Sequence, residues 1–270
     1  MLRDLIQRFT STLRDEGIDR AILLAIRYLS WRIRYHKLIA SLPVFINNFI
    51  FTINSAIYGC MLSTLHRIYP RKYTDANIYK LLLVDPCEIS SEIDPSNRRR
   101  GWVETGSWDT NTTNFMDREI PTAIIQHYDK EIPWDCTSLV NYHEGDKKEA
   151  IKHGRRIENL KNLLCEQGYM SQRDISSKNP RAAWDNLNDA MHPIVNEIAV
   201  DIGRDGELIW NMAGQHRLAL AKVLELDHIY VQVYRRHSKW QSYRADAVNN
   251  KPVPEHLTTH PDLQDLLTQT

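Results

Sequence analysis

The hydrophobic pattern is clearest between Glu197 and Trp240, which reads EIAVDIGRDGELIWNMAGQHRLALAKVLELDHIYVQVYRRHSKW. Glu197 to Ile202 alternates apolar and polar residues, which predicts a half-buried strand. Arg204-Asp205-Gly206 predicts a tight turn, with Gly206 supplying a positive φ, and Leu208 to Met212 returns as a second strand. After Ala213-Gly214 the spacing becomes helical. Gln215 to Leu226 carries Leu218, Ala221, Val223 and Leu224 as its apolar positions. Ile229 to Tyr234 reads as a third strand.

Other stretches give coarser signals. Residues 1–37 predict two amphipathic helical segments interrupted at Gly17, the second flanked by Arg20, Arg27, Arg32 and Arg34. Leu38 to Leu65 contains no charged residue and exceeds the ~20 residues that cross a bilayer. Pro43, Asn47, Asn48 and Asn54 dilute it, and basic residues flank both ends. Three readings stay open: a transmembrane helix, an interfacial or re-entrant anchor, and a helix packed on protein. The run lies too far along the chain, and is too long, for a secretory signal. Leu81 to Val84 predicts a buried strand stopped by Asp85-Pro86. Gly101 to Asp109 reads as a short hairpin turning at Thr105-Gly106. Ile120, Ile124 and Ile125 mark a helix, and Trp134 to Thr137 opens another. Tyr142 to Arg156 reads as an exposed connection. Ile157, Leu160, Leu163 and Leu164 then give a helix closing at Gly168. The organisation expected is a helical extension over residues 1–72, a mixed domain over 73–246 and a tail over 247–270.

Composition narrows the classes. Lysine plus arginine and aspartate plus glutamate number 34 each, so the chain lacks the basic excess of a dedicated nucleic-acid binder. Four cysteines scattered at 60, 87, 136 and 165 form neither a disulfide framework nor a zinc pattern, and fit a reducing cytoplasm. No paired carboxylates or histidines suggest a nuclease centre.

The chemistry concentrates where the second strand meets the helix. Gly214 permits close backbone approach, and the helix's leading N–H groups have no internal acceptors. Such a terminus favours anions. A cation in that first turn opposes the dipole unless a ligand compensates it. Arg217 could grip a phosphate with two parallel hydrogen bonds, and His216 could donate or move a proton. Both could instead simply cap and pack. Arg98, Arg99 and Arg100 form the densest cationic cluster, readable as a solvated loop or as a second anion grip. The basic and aromatic run Arg235 to Arg244 could meet nucleic acid or close over a ligand bound at Gly214.

A strand, then Gly214-Gln215-His216-Arg217, an amphipathic helix and Ile229-Tyr230-Val231-Gln232-Val233-Tyr234 together resemble the ParB/sulfiredoxin-like superfamily. That group includes partition-protein amino-terminal domains, sulfiredoxins and free serine kinases. Leu81 to Pro86 is similar to its opening strand, and Ile157 to Tyr169 to its middle helix, so the likeness spans roughly residues 79 to 240. The resemblance implies an α+β fold, a mixed sheet with flanking helices. It also implies nucleotide phosphates bound at Gly214, Gln215, His216 and Arg217; Arg98 and Arg99, from the cationic cluster above, would be auxiliary grips. A phosphotransferase would take ATP or another nucleoside phosphate, with magnesium, and act on an unidentified substrate. His216, Arg217 and Glu92 would be its catalytic residues, since Glu88 and Glu92 lie where the serine-kinase branch places a glutamate. Gln215 replaces the sulfiredoxin cysteine, and Ala213 replaces the acidic residue of the serine kinases. His216 replaces an arginine of the partition proteins, and no helix-turn-helix follows. The alternatives are a non-catalytic nucleotide switch or DNA-binding module, nucleic acid being the less favoured partner, and a membrane-associated interaction protein.

Overall fold

The computed structural model describes residues 2–34, 43–93, 100–178 and 197–267. In chain order these form helices α1 (Leu2–Asp15), α2 (Ile18–Arg34) and α3 (Val44–Ile68), then strands β1 (Leu81–Val84), β2 (Ser91–Glu92), β3 (Trp102–Glu104) and β4 (Thr113–Asn114). Helices α4 (Glu119–Tyr128), α5 (Leu139–Tyr142), α6 (Lys147–Gln167) and α7 (Gln172–Lys178) follow. Strands β5 (Ile198–Ile202) and β6 (Leu208–Trp210) come next, then α8 (Gln215–Val223), β7 (Ile229–His237), α9 (Ser238–Val248) and α10 (Pro261–Leu267). The chain divides into two compact units, Met1–Asp75 with Gln172–Asn196, and Ala76–Ser171 with Glu197–Thr270.

In the first unit α1 packs on α2 and α2 on α3, around Ala21, Leu23, Tyr58 and Leu62. Gly17, at φ 102°, makes the break between the first two helices that its position in the pattern predicts. The Tyr73 hydroxyl donates to Asp19 Oδ2 at 2.7 Å, and Lys72 lies 3.7 Å from the same oxygen. Among the described residues no helix is long and apolar enough to cross a membrane. Helix α3 covers residues 44–65 of the uncharged run, and residues 38–42 lie outside the described residues. Helix α3 has the length, 25 residues, but asparagines interrupt its apolar character. Phe45, Phe49, Ile53 and Ile57 are nonetheless exposed, four residues apart along it.

The second unit is α+β with a mixed open sheet. Its strand order is β1-β7-β5-β6-β2-β4, and β3 pairs with the far end of β7. Strand β5 runs parallel to β7 and antiparallel to β6, β2 runs parallel to β6, and β1 is antiparallel to β7. Ile198, Val200 and Ile202 face a core shared with Ile120 and Ile124 of α4, Ile157 and Leu164 of α6, and Leu218 and Leu220 of α8. The alternation in β5 predicts one wet face, yet all five residues are buried. Asp201, on the other face, accepts from Arg235 Nη2 at 2.7 Å and from Asn211 Nδ2 at 3.0 Å. Ion pairing covers what the pattern left to water.

Two further expectations change. Helix α6 begins at Lys147, capped by the Asp146 carboxylate, rather than after an exposed connection. Gly154 in its second turn is no breaker: a Cβ there would collide with the Trp134 ring. Strand β7 runs three residues past Tyr234, so Arg235, Arg236 and His237 are strand residues, each at most 7% exposed. The carboxy-terminal tail docks on this unit through buried Leu257 and Leu263.

Candidate functional site

The seam between β6 and α8 is built by backbone. Met212 and Gly214 both adopt positive φ, 61° and 77°. At Gly214 the glycine is required twice over. L side chains rarely take that conformation, and an added Cβ would sit 2.6 Å from Ile198 Cγ1 and 2.8 Å from Ile198 Cα. The Asn211 N–H donates to Ala199 O at 2.8 Å, and Trp210 Nε1 donates to Ala213 O at 2.9 Å, which pins the turn against β5 and its own strand. The Leu218 N–H returns to Gly214 O at 2.9 Å, closing the first helical turn. The N–H groups ahead of it have no intrahelical acceptor, and no side chain caps this end. The result is a partly positive, half-buried mouth.

His216 connects this mouth to two other imidazoles. Its Nε2 lies 2.6 Å from His153 Nε2 on α6, and His153 Nδ1 lies 3.0 Å from His143 Nε2 just after α5. In an N···N contact one ring must donate and the other accept, so the two contacts fix a common direction along the row. If His143 donates to His153 and His153 to His216, then His216 carries its proton on Nδ1; reversing the row moves every proton to the opposite nitrogen. Burial holds the His216 pKa below its ordinary value. Burial also lowers His153, with His216, His143 and Arg156 as further causes, from 6.5 to about 4. Near neutral pH the row's middle ring and its helix end are therefore uncharged. Sequence reading picked out His216 alone. His143 and His153 are ten residues apart and lie in a stretch read as a connection, and no spacing rule points from them to a residue 63 positions on.

The Arg217 guanidinium is engaged within the protein. Its Nη1 donates to Glu197 Oε2 at 2.8 Å and approaches the Tyr169 hydroxyl at 3.4 Å. Glu197 is fully buried and the Arg217 side chain is 13% exposed. Burial alone would lower the Arg217 pKa, but Tyr169 and Glu197 raise it. A two-pronged phosphate grip would have to give up this pair; here Arg217 forms a strut between the first turn of α8 and the start of β5.

Of the remaining expected residues, Glu92 is engaged elsewhere. Glu92 lies in register opposite Trp210, on the neighbouring strand. Its carboxylate pairs with Arg118 and accepts from the Thr113 hydroxyl at 3.2 Å, while Arg118 stacks over Trp210 at 4.9 Å. A base role would have to break that pairing. Arg98 and Arg99 lie outside the described residues. Their neighbour Arg100 is buried, donating to Gln232 Oε1 at 2.9 Å and to the Tyr234 hydroxyl at 3.1 Å. The arginines of the basic run are likewise internal, while Lys239 is exposed and pairs with Asp205. Arg235 stacks on Trp108 at 3.7 Å and pairs with Asp201 and Glu104, while Arg236 and Arg244 pair with Asp262. These cations serve the core, so they offer no surface to a nucleic-acid backbone.

Among the described residues no three histidine, cysteine, aspartate or glutamate side chains are arranged to hold a metal ion. Magnesium would here have to come with phosphate and water oxygens rather than with a cage of side chains. Comparison of the chain with protein-family models, curated proteins and solved structures finds no match in any of the three.

Proposed function

We propose that the amino end of α8 binds the polyphosphate of a nucleotide and that His216 moves a proton there, in a phosphoryl-transfer reaction. The observation that carries this reading is the row of three imidazoles ending on the first turn of a helix whose mouth is opened by left-handed Gly214. Backbone N–H groups at such a mouth attract oxyanions without a side-chain charge. A neutral imidazole beside them can donate a hydrogen bond to developing negative charge or accept a proton from an attacking hydroxyl. Bound magnesium would supply charge neutralisation between the phosphates. Within the protein, Gly214 and Gln215 present the backbone, His216 handles the proton, and Arg217 fixes the helix against Glu197. The β5–β6 hairpin, α8 and parallel β7 are compatible with the ParB/sulfiredoxin-type resemblance, which supports the nucleotide as ligand class. The test is calorimetric titration of ATP, ADP, CTP and GTP, with and without magnesium. Saturable binding that Gly214→Ala weakens and His216→Gln alters supports the reading; heats indistinguishable from dilution for all four would end it.

A second reading rests on α3. Phe45, Phe49, Ile53 and Ile57 form an exposed apolar row, no charged residue occurs from 38 to 65, and Arg67, Arg71 and Lys72 follow. That combination suits shallow insertion at an anionic lipid surface. Sedimentation with anionic against neutral vesicles tests it. Binding to anionic vesicles that Phe45→Ser with Phe49→Ser abolishes is expected, and equal recovery in the supernatant with either lipid would reject it.

A further inference from the structure

Beside β1 and β7 lies a small, partly open cavity of about 20 Å³, lined by Lys80, Leu82, Val233, Arg236, Arg244 and Asp262 among others. Gly214 sits against Ile198, which faces Val231 across the sheet, and Arg236 is five residues further along β7. At ~3.3 Å per residue Arg236 is about 16 Å along the strand from that level, and no residue of the turn at Gly214 lines the cavity, so this is a separate site.

Arg236 is 3% exposed. Its Nε and Nη2 grip the two oxygens of Asp262 at 2.9 and 2.6 Å, a fork-to-fork pair. Asp262 is then heavily used, since it also accepts from Trp240 Nε1 at 2.9 Å and lies 3.3 Å from Arg244 Nη1. Arg236 Nη1 remains: it is buried, and among the described residues it meets no acceptor. Buried charged donors are nearly always matched, because leaving one unmatched forfeits its hydration with nothing in return. Lys80 and Arg244 line the same cavity, so its walls carry three cationic side chains and one carboxylate. A space of this size is enough for one small occupant.

We infer that this cavity is a binding site for a halide-sized inorganic anion, with Arg236 Nη1 as its buried donor and Lys80 at its wall. Chloride is the abundant anion of that size. By joining β7, α9 and the docked tail, it would tie the carboxy-terminal segment to the sheet. The inference does not depend on nucleotide binding.

The test is the urea midpoint of the full chain at constant ionic strength, as chloride or bromide replaces gluconate. A saturable rise with halide is expected. Arg236→Lys keeps a cation for Asp262 but removes the free donor, and should raise the half-saturating chloride concentration about tenfold or more, as loss of a charge-assisted hydrogen bond does. Lys80→Met, at a half-buried position, should shift it in the same direction and decides the matter if the arginine variant does not fold. Coincident chloride and gluconate curves would mean that water fills the cavity and would overturn the inference. So would a halide effect that Lys80→Met leaves unchanged.

Discussion

His153 makes acid stability a sharp test of the imidazole row. Its folded pKa, about 4, lies below the 6.5 of an unperturbed histidine. The sign follows from which state binds the proton. Above 6.5 both folded and unfolded His153 are neutral and the residue contributes no pH dependence. Between 6.5 and about 4 the unfolded chain takes up a proton that the folded protein refuses, so stability falls as pH falls. Below that window both forms are charged and the loss levels off. At face value the gap corresponds to roughly 3 kcal/mol at about 1.4 kcal/mol per unit. The ring is only half-buried, however, and solvent screens its charge, so ~1–2 kcal/mol is the expected loss. His153→Gln keeps a polar group between His143 and His216 but cannot titrate. Urea midpoints measured across the window should decline with acidification in the parent chain, and decline less in the variant by this amount. His216 and His260, both lowered by burial, supply the slope that remains. The carboxylates are common to parent and variant and cancel in the difference: Asp262, held well below its ordinary range, acts at more acidic pH, and Asp201, raised by burial, acts alike in both. Burial would raise Asp262, but Arg236 and Arg244 more than offset it. Parallel curves for parent and variant, or an NMR titration placing His153 at an ordinary pKa, would refute the reasoning.

Three other outcomes are expected. Gly214→Ala forces an L residue to φ 77° at about 1–2 kcal/mol and presses a methyl on the Ile198 backbone. With overpacking of similar size, a loss of ~2–4 kcal/mol in denaturant midpoint analysis is expected, and a neutral effect would show that the turn relaxes freely. Arg217→Ala removes the cation paired with fully buried Glu197 and should cost about 3–5 kcal/mol, whereas a surface arginine would cost almost nothing. Asp262→Asn leaves Arg236 and Arg244 without the carboxylate both of them grip. It should destabilise by a similar ~3–5 kcal/mol and expose the α10 segment to limited proteolysis. An unchanged cleavage pattern would show that Leu257 and Leu263 suffice to hold the tail.

What could be read from the sequence was whatever is local. Leu81 to Val84 is an apolar run of strand length ended by Asp-Pro, and β1 occupies those four residues. The helix after Gly214 and the strand from Ile229 also announce themselves, because the glycine marks the first boundary and a change of period marks the second. Long-range compensation was not legible. Arg235 looks like a surface cation until Asp201, 34 residues earlier, is placed beside it by the pairing of β5 with β7. Gly154 looks like a break until Trp134 is found to occupy the space a side chain would need. His143 and His153 carry no periodic signal, and only the packing of α5 and α6 beside α8 brings them into line with His216.

The Arg217 strut also changes which part of the mouth would discriminate between ligands. A guanidinium free to fork onto phosphate would make affinity depend chiefly on that side chain and on salt. With Nη1 committed to Glu197, attraction at the mouth falls to fixed backbone dipoles, whose aim is set by Gly214 and by the anchoring of the first turn. On the proposed reading Arg217 would act on binding through position. Arg217→Lys, which can still reach a carboxylate, should keep most nucleotide affinity while losing stability, whereas Gly214→Ala should lose affinity even where the protein remains folded. The opposite ranking, with Arg217→Lys the more damaging to affinity, would mean that the guanidinium leaves Glu197 when ligand arrives.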